Sequence, residues 1–238
     1  MKEQKIPIQP MDSLNAPVNR KTFLRYSGLS AGVLFLGLES CKKNGVSPSG
    51  SATIDVGGGD TGILNFAYAL EQLEAAFYIK VNASFYTGIT ANEQAILTDI
   101  MYHEVTHRDF FKAALGTSAI SQLKFDFSSV DFTNRASVLA TAKALEDTGV
   151  SAYNGAGAYI QSADYLTLAG KIVSVEARHA SAIRDLLNPG SADFAGDDVV
   201  SATTGLDFSR TPNAGGSTSI VATANTFLIT KISASKLP

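Results

Sequence analysis

Glu104-Val105-Thr106-His107 and Glu176-Ala177-Arg178-His179 restrict what this chain can fold into more than any other feature of it. A Glu and a His three residues apart lie on one helix face, about one turn apart. Two such helices facing each other, plus one Glu from each of two more helices, build a carboxylate-rich site for two metal ions inside a four-helix bundle. The residues are scarce. The chain has three His, at 103, 107 and 179, and eight Glu, so a double occurrence is not a by-product of composition.

Residues 1–40 read as an export signal rather than as fold. A basic segment with Arg20, Lys21 and Arg25 precedes an apolar run over 28–38. That run is too short for a membrane span of ~20 residues and suits a signal-peptide core. Leu38-Glu39-Ser40-Cys41 looks like a bacterial lipobox, which makes Cys41 the expected lipidation point and new N-terminus. Asn19-Arg20-Lys21-Thr22-Phe23-Leu24 is similar to a twin-arginine motif with Lys21 in place of the second Arg; an ordinary basic segment is the alternative. Cys41 is the only Cys, which excludes an intramolecular disulfide and a thiolate metal cluster. Residues 41–238 carry 14 basic and 19 acidic residues, a net of −5, with no basic run. Nucleic acid is therefore not an expected partner, and the expected membrane contact is the lipid anchor alone.

The remainder divides into a Gly/Ser linker over 41–59, a helical domain over 60–190 and a C-terminal extension over 191–238. Four helices are expected. The first runs over 60–82 with Asp60 as N-cap. The second runs over 91–115, opened by a Thr90/Glu93 capping box and closed at Gly116. The third runs over 134–161 with Thr133 as N-cap, and the fourth over 163–187, closed by Asn188-Pro189-Gly190. Short links join helices one to two and three to four, so each pair is antiparallel. Residues 116–132 connect the pairs. Extended, they span more than ~50 Å, against ~38 Å for a 25-residue helix. The fold class is all-α: a four-helix bundle with one long crossover between helices 2 and 3 and an irregular tail. In the extension, the apolar run 221–232 suits a short helix or a strand equally, and Asp197-Asp198 lacks the spacing of a calcium loop.

The two halves repeat one pattern. Glu71 precedes Tyr78 by seven residues, and Glu146 precedes Tyr153 by seven. Each half then supplies one Glu-x-x-His segment. Glu71 shares a helix face with Leu64, Ala67 and Tyr78, and Glu176 with Ile172, Val173 and Ile183. An isolated Glu on such a face would be costly, whereas several gathered around divalent ions would not. The expected metal ligands are Glu71, Glu104, His107, Glu146, Glu176 and His179; solvated helix faces are the bland alternative. Glu74 competes with Glu71, and the Tyr spacing favours Glu71, leaving Glu74 as a supporting or alternative ligand. Tyr78 and Tyr153 are expected either to donate to the ligand carboxylates or simply to pack. His103 has no counterpart in the second half and reads as an ordinary side chain. Gly149, Gly155 and Gly157 suggest a close backbone contact or a kink in the third helix.

Residues 63–78, His103–His107, 150–153 and 176–180 resemble the ferritin-like superfamily, and in particular exported ferritin-like proteins related to desiccation-associated plant proteins. The resemblance covers about residues 60–190. It implies a cofactor of two iron or manganese ions on the six ligands named above; it does not imply a ferritin shell, against which the expected lipid anchor and the C-terminal extension both argue. Two functions stay open. One is a redox-type metal protein acting on O₂, peroxide or Fe²⁺ in oxidative or metal stress. The other is a non-enzymatic, envelope-anchored binding or protection module with a structural or vestigial metal site.

Overall fold

The computed structural model describes residues 53–196 and 219–237. The expected signal peptide, Cys41, the first part of the linker and Asp197-Asp198 lie outside the described residues. Four long helices dominate: α1 (Gly59–Ala83), α2 (Ala91–Leu115), α3 (Arg135–Gly157) and α4 (Ala163–Leu187). A short α5 (Ile220–Thr226) follows. Two-residue strands β1 (Ile54–Asp55) and β2 (Ile232–Ser233) pair in parallel. α1 packs chiefly on α2 and α3 on α4, and the two hairpins meet through α1–α3 and α2–α4 contacts. This is the all-α bundle the periodicity predicts. Among the described residues no helix is long and apolar enough to cross a membrane.

The local signals explain most of the boundaries. The Thr90 hydroxyl accepts from the Glu93 N–H while the Glu93 carboxylate accepts from the Thr90 N–H, so both open donors at the start of α2 are satisfied. Gly116, at φ 53°, ends α2 with its N–H on the Lys112 carbonyl. Three expectations need correction. Asp60 does not cap α1. The helix starts one residue earlier, after Gly58, and the Asp60 carboxylate instead accepts from the N–H groups of Gln161 and Ser162 at the entrance to α4. Asn134, not Thr133, caps α3 by accepting from the Ser137 N–H, because the Thr133 hydroxyl is occupied by Asp131. α3 stops at Gly157, with Ala158 and Tyr159 in a turn, where its glycines weaken the helix.

The crossover lies along α1, and two polar residues of that helix hold it. The Asn65 side chain donates to the Ser118 carbonyl and accepts from the Ile120 N–H, and Gln72 Oε1 accepts from the Leu123 N–H. Further on, Phe127 and Phe132 pack on Phe77, with Lys80 4.7 Å above the Phe132 ring. From Asn65 to Lys80 is about 22 Å of helix. The crossover therefore covers the side of α1 that the other helices leave open, and α1 is buried nearly all round. Burying a ring such as Phe77 contributes about 1.5–3 kcal/mol.

The ends of the described chain are more ordered than the composition suggests. Residues 53–56 belong to the fold rather than to a flexible linker: Ile54 pairs with Ile232, and Val56 is buried. The tail is not irregular throughout. The apolar run 221–232 is neither one helix nor one strand; α5 takes its start and β2 its end. Ile220, Ala224, Leu228, Ile232 and Leu237 join the main apolar core, and Phe125 bridges to Leu228. These short elements form because each completes the cover of the crossover, not because of their own propensity.

Candidate metal centre

Glu71 on α1, Glu104 and His107 on α2, Glu146 on α3, and Glu176 and His179 on α4 converge inside the bundle. All four carboxylates have zero exposed surface. Their ligand atoms fall into two overlapping groups: Glu71, Glu104, His107 and Glu176, and Glu104, Glu146, Glu176 and His179. In each group the atoms lie within 4.8 Å of one another, so either group could hold a metal ion. All six sequence-expected ligands are therefore brought together.

The atoms sort by side. His107 Nδ1 lies 2.8 Å from Glu176 Oε1, 3.3 Å from Glu71 Oε2 and 3.7 Å from Glu104 Oε2. His179 Nδ1 lies 2.7 Å from Glu104 Oε1, 3.5 Å from Glu146 Oε2 and 3.9 Å from Glu176 Oε2. Glu104 and Glu176 each present one oxygen to each imidazole, while Glu71 and Glu146 each serve one side. The Glu-x-x-His spacing produces this. Within each motif the carboxylate sits one turn before its imidazole, at the level where the facing helix supplies the other motif.

Of the two roles the sequence leaves open for Tyr78 and Tyr153, donation to carboxylates is the one seen, and it runs crosswise. Tyr78 on α1 donates to Glu146 Oε1 over 2.5 Å, and Tyr153 on α3 donates to Glu71 Oε1. Each unshared carboxylate thus has one oxygen fixed by a Tyr of the other half and one turned to the centre. The inward atoms have no such partner. Glu71 Oε2, both oxygens of Glu104 and of Glu176, Glu146 Oε2, and Nδ1 of His107 and His179 are buried and form no hydrogen bond among the described residues; the imidazole nitrogens meet the carboxylate oxygens at ion-pair distances from 2.7 to 3.9 Å. Buried polar atoms normally have partners. Oxygen and imidazole nitrogen donors left open toward a common centre fit a divalent transition metal.

The electrostatics agree. Burial pushes Glu71 up to about 7. Burial, followed by the charges of neighbouring carboxylates, raises Glu74 and Glu176 well above the usual carboxylate range; burial also raises Glu146. Glu104 is the exception. Burial pushes it up, but the imidazoles of His107 and His179 outweigh that and hold it at about 2. Burial alone would lower both imidazoles; the carboxylates around them raise His107 to about 12 and His179 to about 10. The cluster holds more carboxylate than it can keep ionised without added positive charge.

Glu74 is buried beside Glu176. One residue departs from the sequence reading. His103, read as an ordinary side chain, has its Nδ1 2.8 Å from His179 Nε2, with the rings stacked at 5.1 Å between centroids. The i, i+4 spacing of His103 and His107 is the signal the sequence offers for this contact, since the internal repeat holds no counterpart of His103. On the far side of Tyr153, an apolar cavity of about 30 Å³ is lined by Ile63, Phe66, Ala67, Phe111, Tyr153 and Ala156.

No curated protein matches the chain. A family model described as the ferritin-like domain matches residues 59–189, from the first residue of α1 to just past the end of α4. That match covers more than half of the chain and contains every residue of the cluster, so the chain belongs to the ferritin-like domain family.

Proposed function

We propose that this protein holds two iron or manganese ions, one in each ligand group, and uses them on O₂, peroxide or Fe²⁺. The observation that carries the reading is the set of buried oxygen and nitrogen atoms that form no hydrogen bond and face one centre, split evenly between two imidazoles that share Glu104 and Glu176. Glu71 and His107 would complete one ion's ligands, and Glu146 and His179 the other's. When bound, such a metal pair supplies electrons and open coordination positions for a small oxidant. The chain's own part is to hold the ligands, to fix Glu71 and Glu146 through Tyr153 and Tyr78, and to limit bulk water at a site whose four carboxylates are buried. The apolar cavity beside Tyr153 favours a small apolar substrate such as O₂.

The location is part of the proposal. Residues 1–40 serve as an export signal, and a lipid on Cys41 tethers the domain to a bacterial envelope membrane, where the protein acts in oxidative or metal stress. Cys41→Ser should release the protein from the membrane fraction. Mass spectrometry that finds an unmodified mature N-terminus elsewhere would refute the anchor.

The central test is reconstitution with Fe²⁺ or Mn²⁺, counting bound ions and following oxygen and peroxide consumption. Two ions per chain with turnover is the expected result. Two ions without turnover would make the centre structural, and no bound ion would end the metal reading.

A further inference from the structure

Glu74 is the buried carboxylate that the six-ligand reading leaves unused. It is 2% exposed, and its Oε2 has no hydrogen-bond partner. Among the described residues no ion pair engages it. A carboxylate in that position is costly unless a cation reaches it.

The residue facing it is Gly149. A Cβ at position 149 would lie 2.9 Å from Glu74 Oε1 and 3.6 Å from Glu176 Oε2, so any side chain there would displace the Glu74 carboxylate. The register makes this pairing specific. Glu74 stands three residues after Glu71, and Gly149 stands three after Glu146. They are the same position in the two halves of the repeat. One half carries a carboxylate there, and the other carries the only residue without a side chain. Glu176 Oε2, the oxygen beside Gly149, is also the one turned toward His179.

Building on the metal site proposed above, we infer that Glu74 is a fifth carboxylate ligand, to the ion on the Oε2 side of Glu176, and that Gly149 is the space that admits it. The repeat then gives two similar half-sites, and this single position makes them unequal by one carboxylate. The two ions bind with different affinities, and the ion with more anionic ligands binds more tightly.

The test is a titration of the metal-free full chain with Mn²⁺, read by calorimetry and by metal analysis. The native chain should take two ions. Glu74→Gln keeps the side-chain volume and should weaken one ion by about 10-fold or more while leaving the other unchanged. Gly149→Ala tests the same contact with Glu74 intact, and it should weaken the same ion. The combined variant should be no weaker than either single one. In the metal-free state Glu74→Gln should raise the unfolding temperature, because an unpartnered buried carboxylate is gone; that also shows the variant is folded. If both variants bind two Mn²⁺ with native affinities, the fifth ligand is refuted and the dinuclear reading stands. If the native chain binds no Mn²⁺ and no Fe²⁺, both fall.

Discussion

The hydroxyl of Tyr78, on α1, donates to Glu146 Oε1, on α3, over 2.5 Å. The reciprocal bond runs from Tyr153 on α3 to Glu71 on α1. Each half of the repeat therefore orients the carboxylate of the other half, and the two hairpins are tied together through the site. Burial raises both phenols well above their ordinary range, so both act as donors at any physiological pH. Tyr78→Phe or Tyr153→Phe should leave the helices intact and weaken metal binding about 10- to 100-fold. Calorimetric titration of each variant checks this, and native affinity in both would reduce the Tyr residues to packing.

The shared and unshared carboxylates should behave differently. Glu104→Ala or Glu176→Ala removes a residue that belongs to both ligand groups and should abolish binding of both ions. Glu71→Ala or Glu146→Ala removes a residue from one group only and should leave one ion bound. Metal-to-chain ratios after dialysis, near zero for the first pair and near one for the second, test the overlap directly.

Metal uptake should release protons. In the metal-free chain His107 and His179 are held at about 12 and about 10, so both carry protons at neutral pH, and Glu71 sits at about 7. A ligating imidazole or carboxylate must be deprotonated. Adding Mn²⁺ in weak buffer should therefore acidify the solution, and affinity should rise as pH rises through 7. The sign for folding runs the other way. A Glu raised from its ordinary value costs the metal-free fold stability as pH climbs from about 4.5 to about 7. The stabilising effect of metal on the unfolding temperature should accordingly grow over that interval. A pH-independent affinity would contradict the assignment.

A polar clamp away from the site holds three helices. Glu93 on α2 accepts from Arg135 Nε on α3 over 2.6 Å, and Arg135 donates on to the Leu186 carbonyl at the end of α4. Burial pushes the Glu93 carboxyl up, but the Thr90 N–H and Arg135 outweigh this and bring it to about 2. Its contribution is thus present above the ordinary carboxylate value and is lost as pH falls toward 2. Arg135→Ala should destabilise the fold by about 1–2 kcal/mol. Glu93→Gln should flatten the acid side of the stability curve, measured by denaturant unfolding between pH 2 and 5.

The sequence alone determined the four helices, the hairpin pairing and the six residues that form the candidate metal centre. Each of these follows from spacing within one helix or from the length of one link. Glu104 and His107 share a face because they are three apart, whatever packs on them. The Thr90–Glu93 box and Gly116 fix the ends of α2 through contacts a few residues long. Which residue meets which across the bundle was decided only by the tertiary structure. Asp60 reads as a cap from its neighbours, yet it bonds Gln161 and Ser162, about a hundred positions away. His103 has no counterpart in the repeat, yet α4 brings His179 against it. Residues 219–237 have little periodicity of their own and are held by Ile54 and Phe125, which only the closed bundle puts within reach. Glu74 and Gly149 each stand out in the sequence, as a candidate ligand and as a sign of close backbone contact, but that they meet one another is visible only in the folded bundle. Periodicity fixes the direction in which a side chain leaves its own helix; the distance and register between helices arise from packing the whole core, and no local stretch of sequence carries them.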